Sequence, residues 1–76
     1  MEPIADILSR NLKQLRLQHN YTQTELANLA GVHLRYVQDI EAGRRNPTVG
    51  VIRNFRIALE CGWEDLLEKK SRKRRA

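Results

Sequence analysis

Residues 22–47, TQTELANLAGVHLRYVQDIEAGRRNP, predict two short helices joined by a glycine turn. Thr22 is followed three residues later by Glu25, and each side chain can accept a hydrogen bond from the other residue's backbone amide, so a helix is expected to begin here. Gly31 can adopt the positive φ that ends a helix without steric strain. The inward face of this first helix is predicted from apolar residues at helical spacing, Leu26, Leu29 and Ala30.

The second helix of the pair is predicted over residues 33–42. His33 stands at the N-cap position, and Gly43 follows the last periodic residue. Helical spacing turns one set of side chains inward, Val37, Ile40 and Glu41. It turns another set outward, Leu34, Arg35, Gln38 and Asp39. Two helices joined by a short glycine turn, with long polar side chains exposed on the second, are typical of a helix-turn-helix, whose second helix enters the major groove of DNA.

The same stretch resembles the Cro/CI-type (XRE-like) helix-turn-helix family of bacterial and phage regulators, through TQxELAxxAGV followed by YVxxIExGRRNPT. The resemblance runs without a gap from Leu8 to Leu67. It implies an all-α fold, a compact five-helix bundle of the lambda-repressor-like DNA-binding type. It also implies a sequence-specific transcriptional regulator that binds a palindromic operator as a homodimer, with the 33–42 helix in the major groove.

Length and charge limit the possible architecture. A chain of 76 residues is one domain, and a domain of that size buries only roughly 60–65% of its unfolded surface. The net charge is +5, but residues 69–76 hold six Lys/Arg, while residues 1–68 hold eight Lys/Arg against nine Asp/Glu. We therefore predict a DNA-binding domain over 1–68 and a basic, disordered tail over 69–76. We expect affinity for DNA phosphates to come from the placement of individual Lys and Arg side chains and from the tail.

Several classes of function are not expected. The single cysteine, Cys61, excludes an internal disulfide and fits a reducing cytoplasm, and no apolar run is long enough for a signal peptide or a membrane span. His19 and His33 are too isolated to predict a metal site. Because catalytic pairings are also missing and the domain is too small for a cleft, we expect no enzyme activity, cofactor, small-molecule ligand or membrane partner. Control is then expected to come from protein concentration.

Helices are also predicted on both sides of the central pair. Helix one is predicted from Asp6, after a frayed lead-in over 1–5 in which Pro3 can lie at or just before a helix start. Asn20 is expected to end the helix in a left-handed conformation ahead of Tyr21. Its apolar face is predicted as Leu8, Leu12, Leu15 and His19. Its solvent face is predicted as Arg10, Asn11, Lys13 and Gln14.

Helix four is predicted to begin after a Thr48 cap. Its apolar positions are Val49, Ile52, Phe55, Ala58 and Leu59. The chain is expected to loosen over residues 60–62, and a last short helix would present Trp63, Leu66 and Leu67. Two interpretations of Trp63 stay open. It is either a core aromatic that closes the bundle or, with Ile57 and Val51, part of a dimer surface.

Base contacts are predicted on the outward face of the 33–42 helix. Arg35 can donate two hydrogen bonds to guanine O6 and N7, although a solvated arginine is the alternative. Leu34 could pack on a thymine methyl group. Asp39 could accept from a cytosine amino group or instead orient Arg35, which lies one turn away. Gln38 shares this face and is included among the base contacts.

Phosphate contacts are predicted around that face, at Gln23, His33, Tyr36, Arg44, Arg45, Asn46 and Arg53. Gln23 lies at a helix start with free backbone amides, and the resemblance implies that it contacts phosphate and braces the recognition helix. Tyr36 could instead be a half-buried packing residue, and residues 44–46 could be a merely polar turn. The resemblance further implies a structural brace between Arg16 and Glu41.

Three residues depart from the family pattern. His33 replaces the usual Ser or Thr at the recognition-helix start, Arg56 replaces a small apolar residue, and Glu60 replaces a glycine at a helix end. Three regulatory roles fit the sequence: phage-repressor-like, antitoxin-like and restriction–modification controller-like. The competing hypothesis is a helical protein-interaction module whose basic tail binds nucleic acid non-specifically or an acidic surface.

Overall fold

Five α-helices follow one another in the structure, a computed structural model that describes residues 2–69. They are α1 (Ile4–Gln18), α2 (Gln23–Ala30), α3 (Leu34–Glu41), α4 (Val49–Ala58) and α5 (Trp63–Leu67). The described residues contain no strand, and the predicted all-α five-helix fold is confirmed. The predicted basic tail lies outside the described residues from position 70 onward. Within 2–69, none of the helices has the length and apolar character needed to cross a bilayer.

One hydrophobic core joins the helices. α1 packs against α3 and α5, while α2 packs against α3 and α4. The core side chains come from all five helices and the residue that ends α4, and the largest of them are fully buried: Phe55, Leu8, Leu12, Leu26, Ile40, Leu59, Leu66 and Val37. Because α3 packs against both α1 and α2, its position in the fold is set by this core.

The helix caps that depend only on local hydrogen bonds are present as predicted. Thr22 accepts from the backbone nitrogen of Glu25 at 3.0 Å, and Glu25 accepts from that of Thr22 at 2.8 Å. Thr48 accepts from the backbone nitrogen of Val51 at 3.3 Å and begins α4. Asn20 takes the left-handed conformation with φ 60°. These positions confirm the starts of α2 and α4 and the end of α1.

The structure corrects two expectations for α1. The helix begins at Ile4, because Pro3 supplies a suitable φ of −61° and its carbonyl accepts from the backbone nitrogens of Asp6 and Ile7. The predicted frayed lead-in was therefore wrong for residues 4–5, whereas the expected place of Pro3 just before a helix start is confirmed. Asn11, predicted on the solvent face, is buried. Its Nδ2 donates to the carbonyl oxygens of Leu66 and Glu68, both at 2.9 Å, and so satisfies the end of α5.

Three apolar side chains also face differently from the prediction. Leu29 is 55% exposed and Ala27 is buried instead, because α2 packs between α3 and α4 and turns that side inward. Val49, the first residue of α4, is 72% exposed, since the chain enters the helix there before it reaches the core. Val51, predicted as spare apolar surface, is partly buried against the core.

The corner between α4 and α5 contains several irregular features. Glu60 has φ 53°, a left-handed conformation that glycine adopts without a steric penalty. The guanidinium of Arg56 lies 5.3 Å from the centre of the Trp63 ring. Within residues 2–69, the buried Nε of Arg56 has no hydrogen-bond partner. Trp63 is 38% exposed and Ile57 is 51% exposed, so neither is a core residue.

Candidate nucleic-acid interface

The turn between α2 and α3 sets the position of the exposed helix. Gly31 has φ 72°, and the backbone nitrogen of Val32 donates to the carbonyl oxygen of Ala27 at 3.0 Å, which closes α2. His33 precedes α3 in an extended conformation and makes no side-chain cap bond. The first turn of α3 is therefore capped less completely than that of α2.

The carboxylate of Glu41 holds the end of α3 on its buried side. Arg16 of α1 donates Nε to Glu41 Oε2 at 2.7 Å and Nη2 to Oε1 at 3.1 Å. Gln23 of α2 donates Nε2 to the same Oε1 at 3.1 Å. The side chains of Arg16 and Glu41 are only 10% and 5% exposed. Because three helices meet at Glu41, this group resists rotation of α3 about its axis.

Arg16 has a further role in the same cluster. Its Nη1 donates to the backbone carbonyl of Tyr21 at 2.9 Å, just ahead of the α2 cap. The Tyr21 ring stacks on His19 at a centroid distance of 5.3 Å, and His19 Nε2 lies 2.8 Å from the carbonyl oxygen of Leu59. One arginine therefore joins the end of α1, the approach to α2 and the end of α3.

The outward face of α3 carries long side chains that are exposed. The Arg35 side chain is 79% exposed. Leu34 is 38% exposed, and Gln38 is exposed next to it. The opposite face buries Val37 and Ile40 completely. A helix with this division is fixed on one side and presents hydrogen-bond donors and one apolar group on the other.

Asp39 lies on the edge of that face and is surrounded by arginines. Its Oδ1 accepts from Arg35 Nε at 3.3 Å and from Arg44 Nη2 at 2.8 Å. Arg45 Nε lies 4.0 Å from Oδ2. The Arg44 hydrogen bond lowers the pKa of the Asp39 carboxyl; Arg35 adds to this effect and partial desolvation opposes it. Asp39 is therefore ionised throughout the physiological range.

The segment after α3 brings two more cations to the same surface. Gly43, with φ 76°, reverses the chain so that the backbone nitrogen of Arg44 donates to the carbonyl oxygen of Asp39 at 2.9 Å. The guanidinium of Arg45 lies 4.6 Å from the centre of the half-buried Tyr36 ring. Arg44, Arg45 and Asn46 are all exposed.

Comparison with known proteins identifies the arrangement. A helix-turn-helix family model matches residues 12–66. The chain belongs to the helix-turn-helix family. It is 36% identical over 59 residues to the uncharacterized HTH-type transcriptional regulator y4mF of Sinorhizobium fredii, covering 78% of each chain. It is 30% identical over 70 residues to the control protein C.SmaI of Serratia marcescens, covering 92% of this chain and 83% of that protein.

A solved structure supports the same family. The restriction–modification controller protein C.AhdI from Aeromonas hydrophila superposes with a TM-score of 0.78 at 29% sequence identity, covering 82% of this chain and 94% of that chain. The predicted recognition of the family and the predicted fold are thereby confirmed. In this helix-turn-helix chain, α2 and α3 are the two helices of the motif and α3 is the recognition helix.

The predicted interface residues divide into two groups in the structure. One group lies on α3 and on the segment that follows it in the chain: Leu34, Arg35, Tyr36, Gln38, Asp39, Arg44, Arg45 and Asn46. The other group lies at the starts of α2 and α3 and within α4, at Gln23, His33 and Arg53. Gln23 is partly buried, whereas His33 and Arg53 are exposed.

Sequence reasoning missed two contacts in this site. The resemblance implied that Gln23 braces the recognition helix but did not name its partner Glu41, and nothing in the sequence reasoning joined Arg44 to Asp39. A signal for the second contact was available. A glycine that ends a helix turns the next residue back toward the last helical turn, and Arg44 directly follows Gly43.

Proposed function

We propose that this chain is a sequence-specific DNA-binding transcriptional regulator that lays α3 in the major groove of its operator. One observation carries the proposal most directly. The side of α3 opposite its buried face holds exposed Leu34, Arg35 and Gln38, while the Arg16 and Glu41 pair fixes the helix from behind. Related proteins that are named as a transcriptional regulator and as a control protein support it.

Base recognition is assigned to the three open side chains of α3. Arg35 has the donors for guanine O6 and N7, and Gln38 has both a donor and an acceptor for adenine N6 and N7. Leu34 offers an apolar surface to a thymine methyl group. These contacts would give the preference for particular bases, because phosphate contacts alone carry no sequence information.

Phosphate contacts are assigned to the residues that surround α3. Arg44, Arg45 and Asn46 follow the helix, Gln23 and His33 lie at helix starts, and Arg53 and Tyr36 extend the surface. Arg45 is held over the Tyr36 ring, so its charge is placed before DNA arrives. Gln23 also donates to Glu41, which links a phosphate contact to the position of α3.

Among the three regulatory roles, the controller role of restriction–modification systems has the most support. A control protein and a restriction–modification controller protein are among the relatives. We therefore propose regulation by protein concentration, without a ligand. A regulator of this kind acts where the chromosome lies, so we place it in the cytoplasm. The compact domain over 1–68 would do this work, with residues 69–76 as a basic tail.

Binding to a palindromic operator would require two copies of the chain. One recognition helix reads only a few base pairs, and specific sites are usually bound at about 10⁻⁸ M or tighter. A dimer would place two recognition helices about 34 Å apart in successive major grooves. We assign its interface to the α4 and α5 corner, where Ile57 and Trp63 remain exposed although the core is closed beneath them.

Selection of bound DNA from a random pool, followed by affinity measurements, tests the DNA proposal. Arg35→Ala should weaken binding to the selected site by about 1–3 kcal/mol and relax one base position in each half-site. Arg44→Ala should weaken all sequences similarly and lower the salt slope by about one phosphate contact. The control is Arg10→Ala, an exposed arginine of α1 that pairs with Glu2. Equal losses on selected and random DNA for Arg35→Ala would contradict the proposal.

Sedimentation of Trp63→Ala tests the dimer. The variant should remain helical by circular dichroism, become monomeric and lose cooperativity on DNA, because the interface loses its largest apolar side chain. An unfolded variant would instead assign Trp63 to the stability of the α4 and α5 corner. A folded variant that stays dimeric would exclude this surface as the interface.

A further inference from the structure

Asp39 is an acidic side chain on a surface that we propose binds a polyanion. It is only 16% exposed, whereas the neighbouring Arg35, Arg44 and Arg45 side chains are 79%, 62% and 50% exposed. A carboxylate in this place repels DNA phosphates. Attraction to the DNA backbone therefore does not account for its presence, and two roles are left, a contact with a cytosine base or an effect on the arginines.

The contact with Arg35 uses a particular nitrogen. Arg35 donates Nε to Asp39 Oδ1, and this leaves Nη1 and Nη2 for other partners. Those two terminal nitrogens form the fork that can donate side by side to guanine O6 and N7. Because Asp39 lies one turn after Arg35 on the same helix, the bond fixes the direction of the arginine without covering its fork.

The contact with Arg44 couples that fork to the segment after α3. Gly43 turns the chain so that Arg44 returns to Asp39 through both its backbone nitrogen and its Nη2. Both arginines donate to the same atom, Oδ1 of Asp39. A movement of Arg44 toward a phosphate therefore changes the bond that orients Arg35.

We propose that Asp39 is a positioning residue for DNA reading, which holds Arg35 with its fork free for a base and couples it to Arg44, and that Asp39 reads no base itself. This inference rests on the proposed function. Ordering a long side chain before binding lowers the entropy lost on the operator. The same carboxylate opposes phosphates on every sequence. The ordering of Arg35 raises the ratio of specific to non-specific affinity, whereas the repulsion of phosphates weakens binding to all sequences alike.

The test compares base discrimination in four proteins: wild type, Asp39→Ala, Arg35→Ala and the double variant. Asp39→Ala should lose about tenfold discrimination at the base position that Arg35→Ala relaxes. The double variant should lose no more there than Arg35→Ala alone, because the two residues act as one unit. Asp39→Asn, which keeps one acceptor oxygen, should lie between wild type and Asp39→Ala. Affinity for random DNA should stay equal or rise.

A matched control separates position from charge. Glu68→Gln removes one negative charge from an exposed residue that follows α5, and it should leave discrimination unchanged at every base position. NMR of the free protein gives a readout that needs no DNA. The Nε–H group of Arg35 should be ordered in wild type and become more mobile in Asp39→Ala, while that of the exposed Arg53 should not change.

Two results would overturn this inference alone. Asp39→Ala could relax a base position different from the one that Arg35→Ala relaxes, which would make Asp39 a base contact. It could also leave every preference and the Arg35 order unchanged. A wild-type protein that binds all sequences alike would instead overturn the proposed function together with this inference, so the two failures are distinguishable.

Discussion

The ends of α3 and α4 share one hydrogen-bond pattern but differ in the residue that carries it. After α3, the backbone nitrogens of Gly43 and Arg44 donate to the carbonyl oxygens of Ile40 and Asp39 at 3.0 and 2.9 Å. After α4, the backbone nitrogens of Glu60 and Cys61 donate to the carbonyl oxygens of Ile57 and Arg56 at 3.2 and 3.1 Å. Gly43 takes its positive φ freely, whereas Glu60 takes it against steric repulsion.

The same contrast extends to the side chains of the two regions. Around α3, the buried Glu41 carboxylate has three donors and Asp39 has two. In the α4 and α5 corner, the Arg56 Nε is buried without a partner in residues 2–69, and Trp63 stays partly exposed. Local irregularities in proteins tend to cluster at functional surfaces. These irregularities fit our proposal that two chains pair at this corner.

The largest predicted effect tests how far the α3 region depends on its brace. Arg16→Met should lower the free energy of unfolding by about 3–5 kcal/mol, because it leaves the buried Glu41 carboxylate without its main partner. That loss approaches the total stability of roughly 4–11 kcal/mol expected for a domain of this size. Urea denaturation followed by circular dichroism measures the change.

The matched control for the brace is Arg10→Met on the same helix. Arg10 pairs with Glu2 on the surface, with side chains 53% and 26% exposed, so its removal should change stability by less than about 1 kcal/mol. The double variant of Arg16→Met and Glu41→Leu should recover part of the loss, because no unpaired charge then remains. Equal losses for Arg16→Met and Arg10→Met would show that the brace contributes no more than a surface pair.

A smaller pair of effects tests the two helix ends directly. Glu60→Gly should stabilise the protein by about 0.5–1 kcal/mol, because relief of the left-handed strain exceeds the added entropy of the unfolded chain. Gly43→Ala should destabilise it by about 1 kcal/mol, because the strain of alanine in a left-handed conformation exceeds the gain from a less flexible unfolded chain. The added Cβ would lie 3.4 Å from Asp6 Oδ1, an ordinary contact, so no clash adds to the effect.

Asn20→Gly is the control for both helix-end variants. Asn20 ends α1 with φ 60°, and asparagine tolerates this conformation better than glutamate, so the gain should be smaller than for Glu60→Gly. These differences are measured as shifts in the denaturation midpoint. If the m-value is unchanged, a shifted midpoint reports a change in stability alone. If Glu60→Gly destabilises the protein, the Glu60 side chain makes a contribution that outweighs its backbone strain.

Local rules predicted much of the fold. The Thr22 and Glu25 capping box, the left-handed residues Asn20 and Gly31, and the Thr48 cap depend on partners within about four residues, and the structure contains all of them. Each can be worked out from spacing and side-chain chemistry. The recognition helix was expected over 33–42, and the structure gives Leu34–Glu41 with His33 and Ala42 as its caps.

Side chains that face distant parts of the chain could not be predicted in this way. Asn11 is buried because its partners Leu66 and Glu68 lie more than fifty residues away, where no periodicity links them. Leu29 and Val49 match an apolar pattern, but which side of a helix is covered depends on the packing of its neighbours. Only the family resemblance pointed to the pairing of Arg16 with Glu41.

The candidate site was predictable where it lies on one helix face. Spacing alone places Leu34, Arg35, Gln38 and Asp39 together, and it leaves Asp39 either as a base contact or as a partner of Arg35. The structure brings Asp39 to Arg35 and adds Arg44 through the turn at Gly43. The contacts of these residues with DNA remain predictions.

The smallest predicted effect concerns the titration of Asp39. NMR titration of its carboxyl carbon should give a pKa below the ordinary aspartate value, because Arg44 and Arg35 donate to the ionised form. Arg44→Ala should raise this pKa toward the ordinary value more than Arg35→Ala does, since the Arg44 bond has the larger effect. The Asp39 contribution to stability is present above the unfolded pKa and is lost as pH falls through the depressed folded value. Because the arginines are exposed, that contribution to stability is small, so the pKa of Asp39 is a more sensitive measurement than the free energy of unfolding. A pKa that neither substitution changes would show that the arginines do not hold Asp39 in solution.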